Sequence, residues 1–204
     1  MPRSGETNQR IRDEQRGKVL QVAADVFARK GLAATKMTDI AAAAGMSYGL
    51  AYHYFRTKEQ LFAEVVEQAV RGTIGLYQQA EAQPGTPWEQ LTWLLSQILL
   101  GLEHFPAFGK VVLQVYTSDA VPSALRDVVR QERQVTRKIV QRLLAAGQAD
   151  GQVAAGDPAH LATTLLACMQ GLAFESLFAE GEVMTTLPSV EEILRLVKAP
   201  ETAV

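Results

Sequence analysis

The chain has 204 residues, of which 48% are hydrophobic and 21% charged, and its mean hydropathy is zero. This composition is typical of a globular protein and too apolar for a disordered one. The 20 Lys and Arg against 22 Asp and Glu give a net charge of −2, which excludes a uniformly basic surface for nucleic acid. The single cysteine, Cys168, excludes an intramolecular disulfide and a cysteine-based zinc cluster.

The N-terminal residues and the longest uncharged stretch indicate the cellular location of the protein. Met1 to Lys18 are mostly polar and charged, so the sequence predicts no secretory signal. The longest stretch without a charged residue, Pro158 to Phe174, is too short and too polar for a membrane span. We therefore expect a soluble, cytoplasmic protein without a membrane partner.

The spacing of apolar residues predicts helices along the whole chain. Apolar residues recur at intervals of three and four, as between Leu91 and Leu102, and no stretch alternates as a strand does. Capping boxes at Thr57–Gln60, Thr86–Glu89 and Ser189–Glu192 mark helix starts. The sequence thus predicts an all-α fold of about nine helices. They span 12–30, 37–44, 47–54, 58–82, 87–104, 107–118, 122–147, 158–180 and 190–198.

Charge is distributed unevenly along the chain. Residues 1–60 contain ten Lys or Arg and six Asp or Glu, a net charge of +4, which leaves −6 for the remainder. A basic N-terminal part is typical of contact with phosphate. A solvated charged tail explains the same charge, and charge alone does not decide between the two.

The second and third predicted helices form a helix-turn-helix pattern. Gly45 suits a left-handed turn position, and Ser47 suits the cap of the next helix. The outward face of that helix carries Tyr48, Tyr52 and His53, side chains that stack or donate hydrogen bonds in a DNA groove. A small helical bundle, in which these side chains merely cap a core, fits the same pattern.

A set of residues at fixed spacing runs through this part of the chain: Ala23, Ala24, Phe27, Gly31, Thr35, Asp39, Ile40, Ala41, Ala44, Gly45, Met46, Ser47, Gly49, Tyr52, His53, Tyr54, Phe55, Lys58, Glu59 and Leu61. With these residues, 12–72 resemble the DNA-binding domain of TetR-family transcriptional regulators. The resemblance implies a helix-turn-helix domain over 12–72, with 47–54 as its recognition helix. It also implies a ligand-binding and dimerisation domain over 73–204, which matches the family in architecture only.

The resemblance also implies particular DNA contacts. Tyr52 and Lys58 align with positions that contact phosphate. Thr35 and Lys36 are expected along the DNA backbone, with Thr35 as the cap of the second helix because Lys36 stands where the family often has Ser or Thr. Ala51 replaces a common Leu, which loosens that contact. Base edges or nearby sugars are expected to meet Ser47, Tyr48, Gly49, Leu50 and His53.

The N-terminal tail offers two alternatives. Arg3, Arg10 and Arg12 form either an arm for the minor groove or part of a disordered tail.

The predicted 158–180 helix is apolar nearly all round, so one face requires a partner outside a single chain. Gly171 with Ala167 permits close approach of a second helix, and the resemblance implies that the last two helices pair across a twofold axis. A single deeply buried helix is the alternative. The expected interface residues are Leu161, Leu165, Cys168, Gly171 and Leu172.

Aromatic residues of the C-terminal part predict a pocket for a hydrophobic or amphipathic small molecule. The expected polar contacts are His104, Gln114, Arg137 and Gln170. The expected apolar walls are Trp88, Trp93, Phe105, Phe108, Tyr116, Met169 and Phe174.

The residue inventory argues against an enzyme. His53, His104 and His160 have no Glu or Cys at metal-ligand spacing, and no nucleophile elbow, P-loop or dinucleotide fingerprint is present. We expect no catalytic residue, metal or cofactor. The predicted function is that of a homodimeric, ligand-responsive repressor on a near-palindromic DNA operator. The alternatives are a dimeric small-molecule-binding protein without DNA function and a helical adaptor that binds a protein.

Overall fold

The structure of the chain, a computed structural model, describes residues 3–104, 106–175 and 187–200. These residues form helices and no strand, apart from an isolated antiparallel bridge between Val153 and Lys198. The predicted all-α fold is confirmed. The helices are α1 (Arg3–Ala34), α2 (Met37–Ala43), α3 (Tyr48–Tyr54), α4 (Lys58–Glu81), α5 (Pro87–His104), α6 (Pro106–Thr117), α7 (Ser123–Ala149), α8 (Pro158–Glu175) and α9 (Val190–Leu194).

Helix α1 begins earlier than the sequence predicted, at Arg3 rather than at residue 12. Arg10 pairs with Glu14 at 3.6 Å across one helical turn, which supports the extension. Arg10 and Arg12 therefore lie on a helix, so the disordered tail is wrong for them, while the contact with a minor groove stays a prediction. The side chain of Arg3 lies outside the described residues.

Gly31 interrupts α1 close to its end. Its φ of 75° and ψ of 162° lie in a region that favours glycine, so the regular helix stops where the sequence predicted, at residue 30. Residues 31–34 form a separate turn that leads into α2.

The last two helices differ in length from the predictions. Residues 176–180 of the predicted 158–180 helix lie outside the described residues. Helix α9 ends at Leu194, short of the predicted residue 198. The reason is that Val197 O accepts a hydrogen bond from Ala154 N at 2.8 Å, and Ala199 N donates to Gln152 O at 3.0 Å. These bonds turn the chain out of the helix.

The predicted capping boxes are present at two of the three helix starts. At α5, Thr86 N donates to Glu89 at 2.7 Å and Glu89 N donates to the Thr86 hydroxyl at 3.3 Å. Ser189 and Glu192 exchange the same pair of bonds at α9. At α4 the Thr57 hydroxyl accepts from Gln60 N, but the Gln60 side chain accepts from Arg56 N instead.

The chain divides into two compact units. The first unit is Met1–Ala69 with Lys110–Val128, and the second unit is Val70–Gly109 with Val129–Val204. The sequence placed the domain boundary between residues 72 and 73 and assigned 110–128 to the C-terminal domain. In the structure, the end of α6 and the start of α7 belong to the same unit as the N-terminal helices.

Aromatic side chains hold the first unit together. The rings of Phe27 and Phe62 meet edge to face with centroids 5.1 Å apart. The Arg16 guanidinium lies 5.0 Å from the centroid of the Phe55 ring and pairs with Glu64. Each fully buried Phe contributes about 1.5–3 kcal/mol through the apolar surface it removes from water.

The second unit has its own apolar core, which we call the second core. Helices α4, α5, α7, α8 and α9 each contribute side chains to it. Its members are Tyr77, Ala80, Leu91, Leu94, Leu95, Ile139, Val140, Leu143, Leu144, Val153, Ala162, Leu165, Met169, Ile193, Leu194 and Val197.

Candidate nucleic-acid interface

The turn between α2 and α3 is built as the sequence predicted. Gly45 has φ 64°, Gly45 N donates to Ala42 O at 3.1 Å, and Met46 N donates to Ala41 O at 3.0 Å. This pair of bonds is a Schellman motif, which satisfies the last carbonyl groups of α2. The Ser47 hydroxyl then caps α3 by accepting from Leu50 N at 3.3 Å.

The inner side of the helix-turn-helix is apolar and closely packed. Helix α2 packs against both α1 and α3. Ile40, Ala41, Ala51 and Phe55 are all buried. Ala51, which replaces a common Leu of the family, is fully buried, while Leu50 lies on the outer side. The small side chains thus allow the short helices to approach.

The outer side of α3 forms an aromatic face, which we call the recognition surface: Tyr48, Gly49, Leu50, Tyr52 and His53. The exposed fractions of Tyr48, Leu50 and Tyr52 lie between 39% and 50%, and His53 is exposed. Large apolar side chains on so small a helix face are expected to meet a partner.

Two tyrosines of the recognition surface act as a pair. The ring centroids of Tyr48 and Tyr52 are 4.5 Å apart. The hydrogen bond that the neutral Tyr48 hydroxyl donates toward Tyr52 raises the pKa of Tyr48 above its ordinary value. Tyr48 is therefore neutral at physiological pH and available to donate or accept a hydrogen bond.

Glycine at position 49 is not required by the fold. A Cβ added to Gly49 would meet nothing within 4 Å in the chain. The open space lies on the recognition surface, so glycine at this position leaves room there that a side chain would fill.

Thr35 does not take the role that the resemblance implied. Its side chain is fully buried, and its hydroxyl donates to Gly31 O at 2.7 Å. It neither caps α2 nor reaches DNA, so both expectations are wrong. Gly31 O also accepts from Thr35 N at 3.3 Å, so the hydroxyl adds a second hydrogen bond to the same carbonyl and fixes the turn after Gly31.

Lys36 is the residue that precedes α2. Its N–H donates to the Asp39 carboxylate at 3.0 Å, and Asp39 also pairs with Lys30 at 3.0 Å. The backbone bond from Lys36, and then Lys30, hold the pKa of Asp39 below its ordinary value. The exposed side chain of Lys36 remains a candidate for phosphate.

The ammonium group of Lys58 forms hydrogen bonds within the protein. Its Nζ donates to the main-chain oxygens of Leu32, Ala33 and Thr35, each at 2.9 Å. These three bonds, which we call the Lys58 clamp, use every proton of the ammonium group. The implied phosphate contact is therefore corrected: Lys58 fixes the turn between α1 and α2.

Gln114 makes a second clamp on the same turn. Its Nε2 donates to Phe27 O at 2.7 Å, and its Oε1 accepts from Leu32 N at 3.2 Å. Both ends of the amide are thus bonded to the main chain on either side of Gly31. We withdraw Gln114 from the predicted pocket, because both ends of its amide are already engaged.

The other predicted pocket residues fall into both compact units. Tyr116 belongs to the first unit and the remainder to the second. Met169 is buried in the second core, and Phe105 lies outside the described residues. Trp88, Trp93 and Phe108 are half-buried, whereas His104, Arg137, Gln170 and Phe174 are exposed. Arg137 lies 3.5 Å from the Thr163 hydroxyl, and Gln170 accepts from Arg133 at 3.0 Å.

Two polar residues inside the second unit were missed by the sequence analysis. Tyr77 belongs to the second core, and Glu132 is half-buried on α7. The sequence spacing could have identified Glu132, because positions 132, 136, 139, 140 and 143 lie on one face of a helix. Ile139 and Leu143 on that face are buried, so a carboxyl group in the same register is unusual.

The predicted dimer residues on α8 face different ways. Leu165 is buried in the core of its own chain, so its assignment to an interface is wrong. Leu161, Cys168 and Leu172 are half-buried against the same core, and Gly171 is exposed. The exposed face of α8, which we call the α8 face, comprises Thr163, Thr164, Ala167, Gln170, Gly171 and Phe174.

Over the described ranges, no single helix has the length and apolar composition to cross a membrane. The bent pair Pro87–His104 and Pro106–Thr117 passes by length and composition only. Nor do any three His, Cys, Asp or Glu side chains of the described residues form a group that holds a metal ion.

A left-handed turn between two short helices that pack through a buried apolar side, with an exposed aromatic face on the second, defines a helix-turn-helix protein. Two family models match the chain: "Bacterial regulatory proteins, tetR family" over residues 19–65 and "BetI-type transcriptional repressor, C-terminal" over residues 87–195. The second covers more than half of the chain. The chain therefore belongs to the TetR family of bacterial transcriptional regulators.

The chain is also similar to curated relatives. It is 35% identical to the HTH-type transcriptional repressor KstR2 of Mycolicibacterium smegmatis over 137 residues, which are 67% of this chain and 66% of that protein. It is 33% identical to KstR2 of Mycobacterium tuberculosis over 95 residues, 47% of this chain and 48% of the relative. The chain thus spans about two thirds of one relative and about half of the other.

Solved structures share the fold. The ketosteroid regulator KstR2 of Mycobacterium tuberculosis superposes with a TM-score of 0.67 at 22% identity, covering 91% of this chain and 95% of the other. A putative transcriptional regulator from Saccharomonospora viridis in complex with choline superposes with a TM-score of 0.71 at 20% identity, covering 92% and 100%.

Proposed function

We propose that this chain is a ligand-responsive transcriptional repressor of the cytoplasm that binds a near-palindromic operator as a homodimer. The observation that carries the proposal is the recognition surface, where exposed aromatic side chains surround a glycine that the fold does not need. Two copies of α3 would enter successive major grooves about 34–36 Å apart.

The DNA contacts divide into two kinds. Tyr48, Leu50 and His53 are proposed to meet base edges or sugars, and Gly49 to allow their approach. Tyr52 and Lys36 are proposed to meet phosphates, together with the first turn of α3 at Ser47. Contacts of the first kind select a sequence, whereas those of the second kind add affinity on any DNA.

The proposed dimer uses the α8 face, because Ala167 and Gly171 allow two helices to approach closely. The small-molecule effector is proposed to bind the second unit and to weaken operator binding. Such coupling is typically about 1–3 kcal/mol. We propose no catalytic activity.

The deciding experiment is selection of fragmented genomic DNA from the source organism by the purified full chain. The tightest fragment is then footprinted at low and high salt. We expect a protected inverted repeat whose binding weakens steeply as salt rises, because phosphate contacts release counterions.

A matched control is the Tyr48→Ala variant, which removes an exposed side chain. We expect it to lose preference for the selected fragment over random DNA. A folded, dimeric wild-type chain that enriches no fragment would instead support the alternative, a small-molecule-binding protein without DNA function. Binding of a protein partner that does not respond to salt would support an adaptor.

A further inference from the structure

The helix-turn-helix lacks the side chains that usually identify a base. Residues 37–54 contain no Arg, Lys, Asn, Gln or Glu. Their one acidic residue, Asp39, accepts from Lys36 N and pairs with Lys30. Guanine is usually recognised by Arg or Lys and adenine by Asn or Gln, each through two hydrogen bonds, and cytosine by a carboxylate. The two helices therefore do not select a sequence by contacts of these kinds.

The polar groups that α3 exposes discriminate weakly between bases. The Ser47 hydroxyl already accepts from Leu50 N in the cap of the helix. The His53 ring and the hydroxyl groups of Tyr48 and Tyr52 each offer single hydrogen bonds to a base edge. A single bond of this kind is satisfied by more than one base, so selection of a sequence requires a different contact.

Helical spacing divides the exposed side of α3 into two apolar walls. Successive residues of an α-helix are rotated by about 100°, so Gly49 points outward when Ala51 is buried on the inner side. By the same spacing, Leu50 lies on one flank of Gly49. Tyr48 and Tyr52, whose ring centroids are 4.5 Å apart, lie on the other flank. Leu50 is 43% exposed and Tyr48 is 50% exposed, so both walls face outward.

The floor between the two walls is open. A Cβ added to Gly49 would meet nothing within 4 Å. Side chains near the start of a recognition helix are the ones that reach base edges. The apolar group that base edges present in the major groove is the C5-methyl group of thymine. Two apolar walls over an open floor remove such a methyl group from water, which favours its binding.

We propose that α3 selects its half-site through the C5-methyl group of thymine, which lies over Gly49 between Leu50 and the paired rings of Tyr48 and Tyr52. This inference rests on the proposed function, because it names what the recognition surface reads. The operator then carries a T·A pair where the first turn of α3 enters each half-site.

The test replaces the thymines of both half-sites in the selected fragment by deoxyuridine. Deoxyuridine lacks only the methyl group, so base pairing and the minor groove are kept, and any contact of Arg10 or Arg12 with the minor groove is unaffected. A third duplex carries 5-bromodeoxyuridine, whose bromine restores the bulk of the methyl group. Fluorescence anisotropy gives the Kd of the full chain for each duplex at one salt concentration.

We expect the deoxyuridine duplex to raise the Kd of the wild type by about tenfold or more, because each methyl group removed from water contributes about fourfold and the operator has two half-sites. The bromine should restore most of the affinity. Leu50→Ala removes one wall and should lose most of the preference for thymine over deoxyuridine. Leu100→Ala, at a leucine of α5 that is 48% exposed, is the matched control and should keep the wild-type preference.

Three results would overturn this inference and leave the repressor function standing. The first is a selected inverted repeat without thymine in its half-sites. The second is equal affinity of the wild type for the thymine and deoxyuridine duplexes. The third is a Leu50→Ala chain, folded by circular dichroism, that keeps the full preference for thymine. A folded, dimeric chain that selects no inverted repeat overturns the proposed function, and this inference with it.

Discussion

Single side chains decide which parts of the helix-turn-helix serve the fold and which face outward. Thr35 and Lys58 were expected to meet DNA, but each is bonded to main-chain oxygens around the break at Gly31. Gly49, in contrast, has open space around it. The family pattern includes Thr35, Gly49 and Lys58 alike. The structure shows that Thr35 and Lys58 hold the fold together, whereas Gly49 faces open space.

Gly49→Ala should make the chain more stable and its DNA binding weaker. Gly49 lies in the first turn of α3, where alanine is favoured over glycine by up to about 1 kcal/mol, and the new methyl meets nothing in the chain. The same methyl occupies space on the recognition surface, so we expect operator affinity to fall by about tenfold or more. Thermal unfolding and fluorescence anisotropy measure the two effects.

The matched control is Gly17→Ala on α1, where a Cβ also meets nothing within 4 Å. It should raise stability by a similar amount and leave DNA binding unchanged. If Gly49→Ala bound the operator as well as Gly17→Ala does, the assignment of a close approach at position 49 would fail.

Lys58→Ala and Lys36→Ala should differ in their salt dependence. Lys58→Ala removes a donor from three carbonyls and should lower the free energy of unfolding by about 1–3 kcal/mol. The slope of log K against log salt should stay as in the wild type. Lys36→Ala should leave stability unchanged and reduce that slope by about one, because one fewer phosphate is neutralised. A lower slope for Lys58→Ala would restore the phosphate contact that the resemblance implied.

At the scale of helices, the turn between α1 and α2 is held from two sides. The Lys58 clamp comes from α4 and the Gln114 amide from α6. Both helices contribute residues to the first and to the second compact unit. The turn that orients the helix-turn-helix therefore depends on helices that continue into the part of the chain proposed to bind the effector.

Gln114→Ala should loosen the end of α1. It leaves Leu32 N–H and Phe27 C=O without their partner, which costs about 1–3 kcal/mol in buried positions. Hydrogen exchange should show faster exchange at Leu32 than in the wild type. The exposed Gln78→Ala on α4 is the control and should exchange as the wild type does at Leu32. Unchanged protection in Gln114→Ala would refute the clamp.

At the scale of the whole molecule, burial of a carboxyl group contributes to the dependence of stability on pH. The pKa of Glu132 is raised in the folded chain, chiefly by burial, so its ionised form is disfavoured there. The contribution of this carboxyl group to the free energy of unfolding is fully present below its pKa in the unfolded chain, about 4.3. That contribution is lost as the pH rises through the pKa of the same group in the folded chain.

Glu132→Gln should therefore be more stable than the wild type at neutral pH. The difference should shrink as the pH falls and disappear below about pH 4, where the wild-type carboxyl is protonated in both states. Denaturant unfolding at a series of pH values measures it. A variant that is less stable than the wild type at neutral pH would show that the carboxylate has a partner.

Assembly of two chains is the second property of the whole molecule. Ala167→Arg places a charge on the α8 face and should give a folded monomer by analytical ultracentrifugation. Because an inverted repeat requires two linked heads, affinity for the operator should fall steeply. Ala145→Arg, at an exposed position of α7, is the control and should remain dimeric. A dimeric Ala167→Arg chain would place the interface elsewhere.

The sequence by itself determined what depends on local spacing. Apolar periodicity predicted the helices, and Gly45 with Ser47 predicted the turn, because helix faces and caps are set by residues three or four positions apart. The outward position of Tyr48 and Tyr52 followed from the same periodicity.

Only the tertiary structure decided the roles that depend on distant partners. Gln114 meets Phe27 and Leu32 from 87 and 82 residues away, and Lys58 meets Leu32 from 26 away. Leu165 and Tyr77 enter the second core because helices far apart in the chain enclose them. A polar side chain can bond to DNA, to a ligand or to a carbonyl group, and its neighbours in the sequence do not determine which of these partners it binds. Its partner is chosen by the packing of the helices.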